Sequence, residues 1–182
     1  MNLHPITPYA PPARWLHWIM AALMLLVIPF GFIMMRLPSG DAQNQLFDLH
    51  RSIGFTILCL AVLRVVIRIL YGAPPPAPGL PRWQVLASKS VHHALYGLIF
   101  LMPLLGWAGS SAFGAQVSVF GLFTLPALVP KSEALSALFN GAHQVFGYIT
   151  AGLVVVHVAA GLWHGLILRD GVLSRMLPFL SR

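Results

Sequence analysis

Charge is what this sequence has least of. Only 8% of its 182 residues are Asp, Glu, Lys or Arg, where a soluble domain carries roughly 25%. A composition this poor in charge suits lipid, where no polar shell is needed. Acids are scarcest: four, against eleven Lys and Arg, for a formal charge of +7. All four sit in loops or at their edges, so a catalytic triad has no candidates. No G-x-x-x-x-G-K or G-x-S-x-G occurs, which removes phosphate loops and nucleophile elbows. The single cysteine, Cys59, lies mid-way along an apolar run. It cannot close an internal disulfide, and without C-x-x-C-H no c-type haem attaches covalently. It reads as a small packed residue. The basic residues form no aromatic-interleaved patch, so nucleic acid is not the expected partner. They sit at the ends of apolar runs, as the positive-inside rule expects.

What is abundant is apolar side chain, 58% of the total, gathered in runs. The first, Trp15 to Met35, is too long for a signal-peptide core of roughly 7–15 residues, and no small-residue cleavage site follows. It is expected to be a retained span, residues 12–35. Pro11 and Pro12 suit its start, Trp15 and Trp18 its interface, and Pro29 is a tolerated kink. A loop with Pro38, Ser39 and Gly40 leads to span two, 50–71. Arg64 and Arg68 lie four apart near its end, where long side chains snorkel to head groups. The segment Ala73 to Pro81 is too rich in proline for a helix and is expected to be an extended linker. From Ser90 to Pro130 no residue is charged, too long a stretch for one span. Gly106, Gly109 and Gly114 suggest an end, giving span three, 91–113. The remainder, Ala115 to Val129, is broken by Gly121 and Pro126 and is expected to be a loop on or dipping into the membrane surface. Span four is 141–168.

Four spans with short connections predict an all-α membrane protein, an up-down-up-down four-transmembrane-helix bundle forming one domain over 1–182. With both termini and the second loop on one side, that side holds Arg14, Arg64, Arg68, Arg82, Lys89, Arg169, Arg175 and Arg182. The opposite side holds Arg36, Arg51 and Lys131. The bias makes the first side cytoplasmic.

Ionisable side chains at membrane depth are costly and are functional candidates by default. Of the eight histidines, six lie in or at the ends of spans: His17, His50, His92, His143, His157 and His164. His93 adjoins His92, and His4 is in the tail. His143 and His157 are separated by about 21 Å along span four and fall within about 40° of one face. The topology pairs His50 with His143 near the outer leaflet and His17 with His157 towards the inner. Bis-imidazole ligation of two non-covalent haems between helices needs this arrangement. Each proposed ligand has a small residue four positions on, hence on the same face: Ala21, Gly54, Gly147 and Gly161. A flat macrocycle against a helix needs such gaps, although small residues also serve helix packing. Spacing alone does not choose between His157 and His164, which share the stripe of His143. Zinc is disfavoured, because no carboxylate or thiol partner is at hand.

Several motifs together resemble the bacterial cytochrome b561 family. They are R-W-L-H-W in span one, H-R-S-I-G opening span two, and H-x-x-x-Y before the Pro-x-x-Gly of span three. The last is H-x13-H-V-A-A-G-L-W-H followed by R-D-G-V-L-S-R-M-L-P. The family's members are four-helix, di-haem b-type cytochromes of the bacterial inner membrane. The resemblance implies axial ligands at His17, His50, His143 and His157, and so favours His157 over His164. The family's double histidine near the end of span four is His164-Gly165 here. The resemblance further implies two haem b and electron transfer to or from the quinone pool, with ubiquinone as substrate. One branch oxidises superoxide and reduces ubiquinone, an oxidoreductase activity that would make the chain an enzyme. Net charge on the outer face is near zero, so steering of a small anion would be local, around Arg51 beside His50. Arg51 is also a candidate for the haem propionates, as Arg64 and Arg68 are at the inner site. His92 or His93 is the candidate for a proton route. A third reading is a haem-bearing anchor for a dehydrogenase or hydrogenase partner subunit; a fourth is a proton-relay bundle using the same histidines.

Overall fold

The computed structural model describes residues 7–177; His4 and Arg182 lie outside them. Four long helices dominate: α1 (Pro11–Met34), α2 (Asp41–Tyr71), α3 (Arg82–Phe113) and α4 (Glu133–Leu162). A short antiparallel hairpin, β1 (Val117–Val119) and β2 (Phe123–Leu125), joins α3 to α4. Beyond α4 the chain continues as a π-helical turn, Trp163–Leu168, and a 3₁₀ turn, Leu173–Arg175. All four helices are long and apolar enough to cross a membrane.

Each expected span falls on one of these helices, but α2, α3 and α4 begin earlier than apolarity alone indicates. The reason is that hydropathy marks the lipid-facing length, whereas helix formation also takes in polar turns outside it. Asp41 and Glu133 occupy the first turns of α2 and α4, where negative charge meets the positive end of the helix dipole. Ser132 caps α4, its Oγ accepting from the Leu135 amide at 3.4 Å. Helix α3 starts directly after Pro81, and α1 has proline in its first positions, where a missing N–H costs nothing. Helix α3 stops at Gly114, whose φ of +91° closes the end in the left-handed region.

Between α3 and α4, where an irregular loop was expected, the chain pairs Val117 with Leu125 and Val119 with Phe123. Three-residue strands are too short to show as an alternating pattern. The turn has positive φ at both Phe120 and Gly121, the hairpin conformation that favours glycine. Val117 and Val119 are buried, and β1 packs on α2. The buried Ser52 hydroxyl fastens the hairpin there. It accepts from the Phe120 amide at 2.9 Å and donates to the Asp48 carbonyl at 2.7 Å.

Packing in the bundle is uneven. Helices α1 and α2 share a core of Leu16, Met20, Val27, Ile53, Ile57 and Ala61. Ala61 is fully enclosed, and its small side chain lets the two backbones approach. Helix α2 also packs on α3, and α3 on α4. Helix α4 has no comparable seam with α1 or α2. Only 6% of its apolar window is buried, against 17% for α1 and for α2. A cleft therefore runs along the bundle between α4 and the α1–α2 pair.

Candidate functional site

The cleft is lined by histidines at two levels. At one, His50 of α2 faces His143 of α4 with ring centroids 6.1 Å apart and planes at 75°. At the other, His17 of α1 faces His157 of α4, also at 6.1 Å, with planes at 78°. One metal ion bonded to both imidazoles at about 2 Å, with about 1 Å from each nitrogen to its ring centre, separates the centroids by about 6 Å. Both pairs thus have a spacing that would suit two ligands of one ion. Two imidazoles fill only two coordination positions, and among the described residues no group of three or more ligating side chains occurs. A macrocycle such as haem would supply the remaining positions.

The first pair is oriented by backbone carbonyls. His50 Nδ1 lies 3.1 Å from the Val27 carbonyl and His143 Nδ1 2.9 Å from that of Met102. A carbonyl only accepts, so each Nδ1 carries the proton and each Nε2 is left as the ligating nitrogen. Each ring reaches its carbonyl over a glycine on the neighbouring helix. A Cβ on Gly31 would stand 3.1 Å from His50 Cε1, and one on Gly106 3.1 Å from His143 Cε1. The two arrangements match: α1 supports the ligand on α2, and α3 supports the ligand on α4. Sequence reasoning missed both glycines. Their signal was a glycine one helical turn after the accepting carbonyl, in each case close behind a proline, Pro29 or Pro103.

The expected small residues divide. Gly54 and Gly161 have open space where a Cβ would project, whereas Gly147 packs on Met102 at 3.7 Å. Arg51 bonds Asp48 at 3.3 Å and covers the Phe47 ring, so its charge is already answered within α2. His164 has a partner of its own. Its Nδ1 meets Asp170 Oδ2 at 2.5 Å, and Asp170 also accepts from the Val172 amide. The π-helical turn carrying His164 and the left-handed Arg169 after it bring that pair together.

The second pair has a neighbour that the sequence offered only as a candidate for a proton route. The His92 ring lies 5.2 Å from that of His157, and its Nδ1 is 2.7 Å from the Ser88 carbonyl. Arg64 stands within electrostatic reach of His17, His92 and His157, its guanidinium 5.5 Å from the centre of the Tyr96 ring. Buried Arg64 Nη1 and Arg14 Nε have no hydrogen-bond partner.

A four-span bundle whose cleft carries two imidazole pairs is the architecture of a membrane haem protein. Residues 8–179 match the family described as prokaryotic cytochrome b561. Cytochrome b561 homolog 1 of Escherichia coli K12 is 31% identical over 90% of this chain and 93% of its own length. Cytochrome b561 homolog 2 of the same strain is 32% identical over 88% and 86%. The probable superoxide oxidase CybB of Yersinia pestis is 27% identical over 90% and 92%. The chain belongs to the prokaryotic cytochrome b561 family. It is a multi-pass membrane b-type cytochrome, and its cofactor is haem b.

Proposed function

We propose that the protein is a di-haem electron carrier that exchanges electrons with the quinone pool. His50 and His143 would hold one haem b, and His17 and His157 the other. The observation that carries this reading is the repetition of one 6.1 Å imidazole spacing at two levels of the same helix. Each haem, when bound, supplies a site that takes up and releases one electron. What the chain's own residues contribute is position and environment. Helix α4 offers one ligand to each level and so fixes their separation along its axis. The Val27 and Met102 carbonyls hold the protons of His50 and His143 on Nδ1, which raises the basicity of the opposite nitrogen. Apolar walls exclude water. With two protein ligands at each level, chemistry on a substrate is outer-sphere, and no side chain need act as nucleophile. His92, beside the His17–His157 pair, is the candidate to move a proton there. The basic bias of the loops supports cytoplasmic termini in the bacterial inner membrane, with the His50–His143 level towards the periplasm.

Purified protein is expected to hold two haem b per chain, both reduced by ubiquinol. One haem per chain, or no exchange with quinol, would sink the proposal. A second reading, superoxide:ubiquinone oxidoreductase, is favoured by the relative named a probable superoxide oxidase. Under it, superoxide would reduce the oxidised protein faster than free haem in the presence of ubiquinone. Equal rates would remove it. A stoichiometric soluble subunit in the purified material would instead favour an anchoring role.

A further inference from the structure

The second level of the cleft has an excess of positive charge with nothing to answer it. Arg64 stands within electrostatic reach of His17, His92 and His157, and Arg68 within reach of His92. Every acid in the chain is elsewhere or engaged. Asp41 and Asp48 are near the start of α2, and Asp48, the nearer, lies about 24 Å from Arg64 along the helix. Glu133 opens α4, about 36 Å before His157. Asp170 is taken by His164. Among the described residues, Arg64 has no ion pair, and its buried Nη1 has no partner. An unpaired guanidinium within an apolar bundle is a large cost. Snorkelling would lower that cost by taking the whole head into water. Instead Tyr96 covers the guanidinium from α3, and one of its nitrogens is enclosed. The other level is built differently, since Arg51 already has Asp48.

The missing counter-charge is therefore an anion brought by a ligand, with a geometry that suits a guanidinium fork: a carboxylate. Haem b carries two carboxylates on its edge. Resting on the reading that His17 and His157 hold a haem, we propose that Arg64 binds a propionate of that haem. His92 stands beside His157, its Nδ1 proton held by the Ser88 carbonyl. Arg64 thereby selects which way round the macrocycle enters and sets the charge beside the iron.

The test uses the full chain in lipid discs, loaded with haem b or with its dimethyl ester, whose propionates carry no charge. Wild type, Arg64→Gln and Arg64→Lys are compared for haem transfer to excess apomyoglobin and for the midpoint potential of each haem. With haem b, Arg64→Gln should release one of the two haems about tenfold faster, the worth of one charge-assisted hydrogen bond, and lower that haem's potential. Arg64→Lys should restore most of the potential. With the ester, wild type should release that haem as fast as Arg64→Gln releases haem b, and the substitution should add nothing further to that rate. Equal effects of Arg64→Gln on the release of haem b and of the ester would overturn the proposal. So would an effect that follows the anionic lipid content of the disc, which would give Arg64 to a lipid phosphate. A wild-type chain that retains a single haem would overturn the underlying di-haem reading instead.

Discussion

Adding one methyl group at Gly106 tests how His143 is held. A Cβ there would meet His143 Cε1 at 3.1 Å and Nδ1 at 3.3 Å. Carbon atoms prefer about 3.5–4.0 Å, so the ring must retreat by about 0.5 Å. The retreat acts on the 2.9 Å hydrogen bond from Nδ1 to the Met102 carbonyl, stretching it to about 3.4 Å, near the limit of a useful bond. Losing a bond that orients a metal ligand typically costs about 10–100-fold in affinity. Gly106→Ala should therefore lose haem from the His50–His143 level at least about tenfold faster while the other haem is unaffected. Gly152→Ala, on the same cleft-lining helix as His143 but with nothing within 4 Å of its Cβ position, is the matched control. The assay is haem per chain and the resolved absorbance bands after extended dilution. If Gly106→Val, with a larger clash, keeps both haems at wild-type rates, the carbonyl-and-glycine account of the site is wrong.

Three further outcomes follow from the geometry. His157→Ala should lose about one haem per chain, whereas His164→Ala, whose partner is Asp170, should keep both; haem analysis of the two variants checks this, and the reverse pattern would reassign the ligand. Gly31→Ala should repeat the Gly106→Ala phenotype through His50, because the approach to Cε1 is the same 3.1 Å. Ser52→Ala leaves the Phe120 amide without its acceptor, at a cost of about 1–3 kcal/mol. Amide exchange should quicken in the hairpin around Phe120, and unchanged exchange would show that Ser52 does not fasten it.

The four helices were legible because lipid imposes a coarse rule: long apolar runs punctuated by charge and proline. The histidine stripe of α4 was legible for the same reason, since polar residues inside such runs are conspicuous. What escaped was whatever depends on two helices at once. In the sequence Gly106 signals, with Gly109 and Gly114, only that span three is ending, whereas a Cβ there would crowd the His143 ring from α4. His92 looked like an interfacial residue bonded to its own helix, which it is, but its neighbour His157 comes from another helix. The hairpin escaped because its strands gain their order from burial of Val117 and Val119 against α2, not from any pattern of their own.

The cleft beside α4 has a consequence for how the protein is made. Helices α1 to α3 leave the ribosome first and can lock together through their own side chains. Among the described residues the last helix packs most heavily on α3 and meets α1 and α2 through the imidazole pairs and the Phe32–Tyr148 contact. If haem sits between those imidazoles, its delivery would close the assembly, because a ligand that binds only the assembled form stabilises it by mass action. In a cell short of haem, the same chain would sit in the membrane with its final helix loosely docked, an open substrate for the proteases that police unfinished proteins. Cofactor supply, rather than synthesis of the polypeptide, would then set how much of the cytochrome survives.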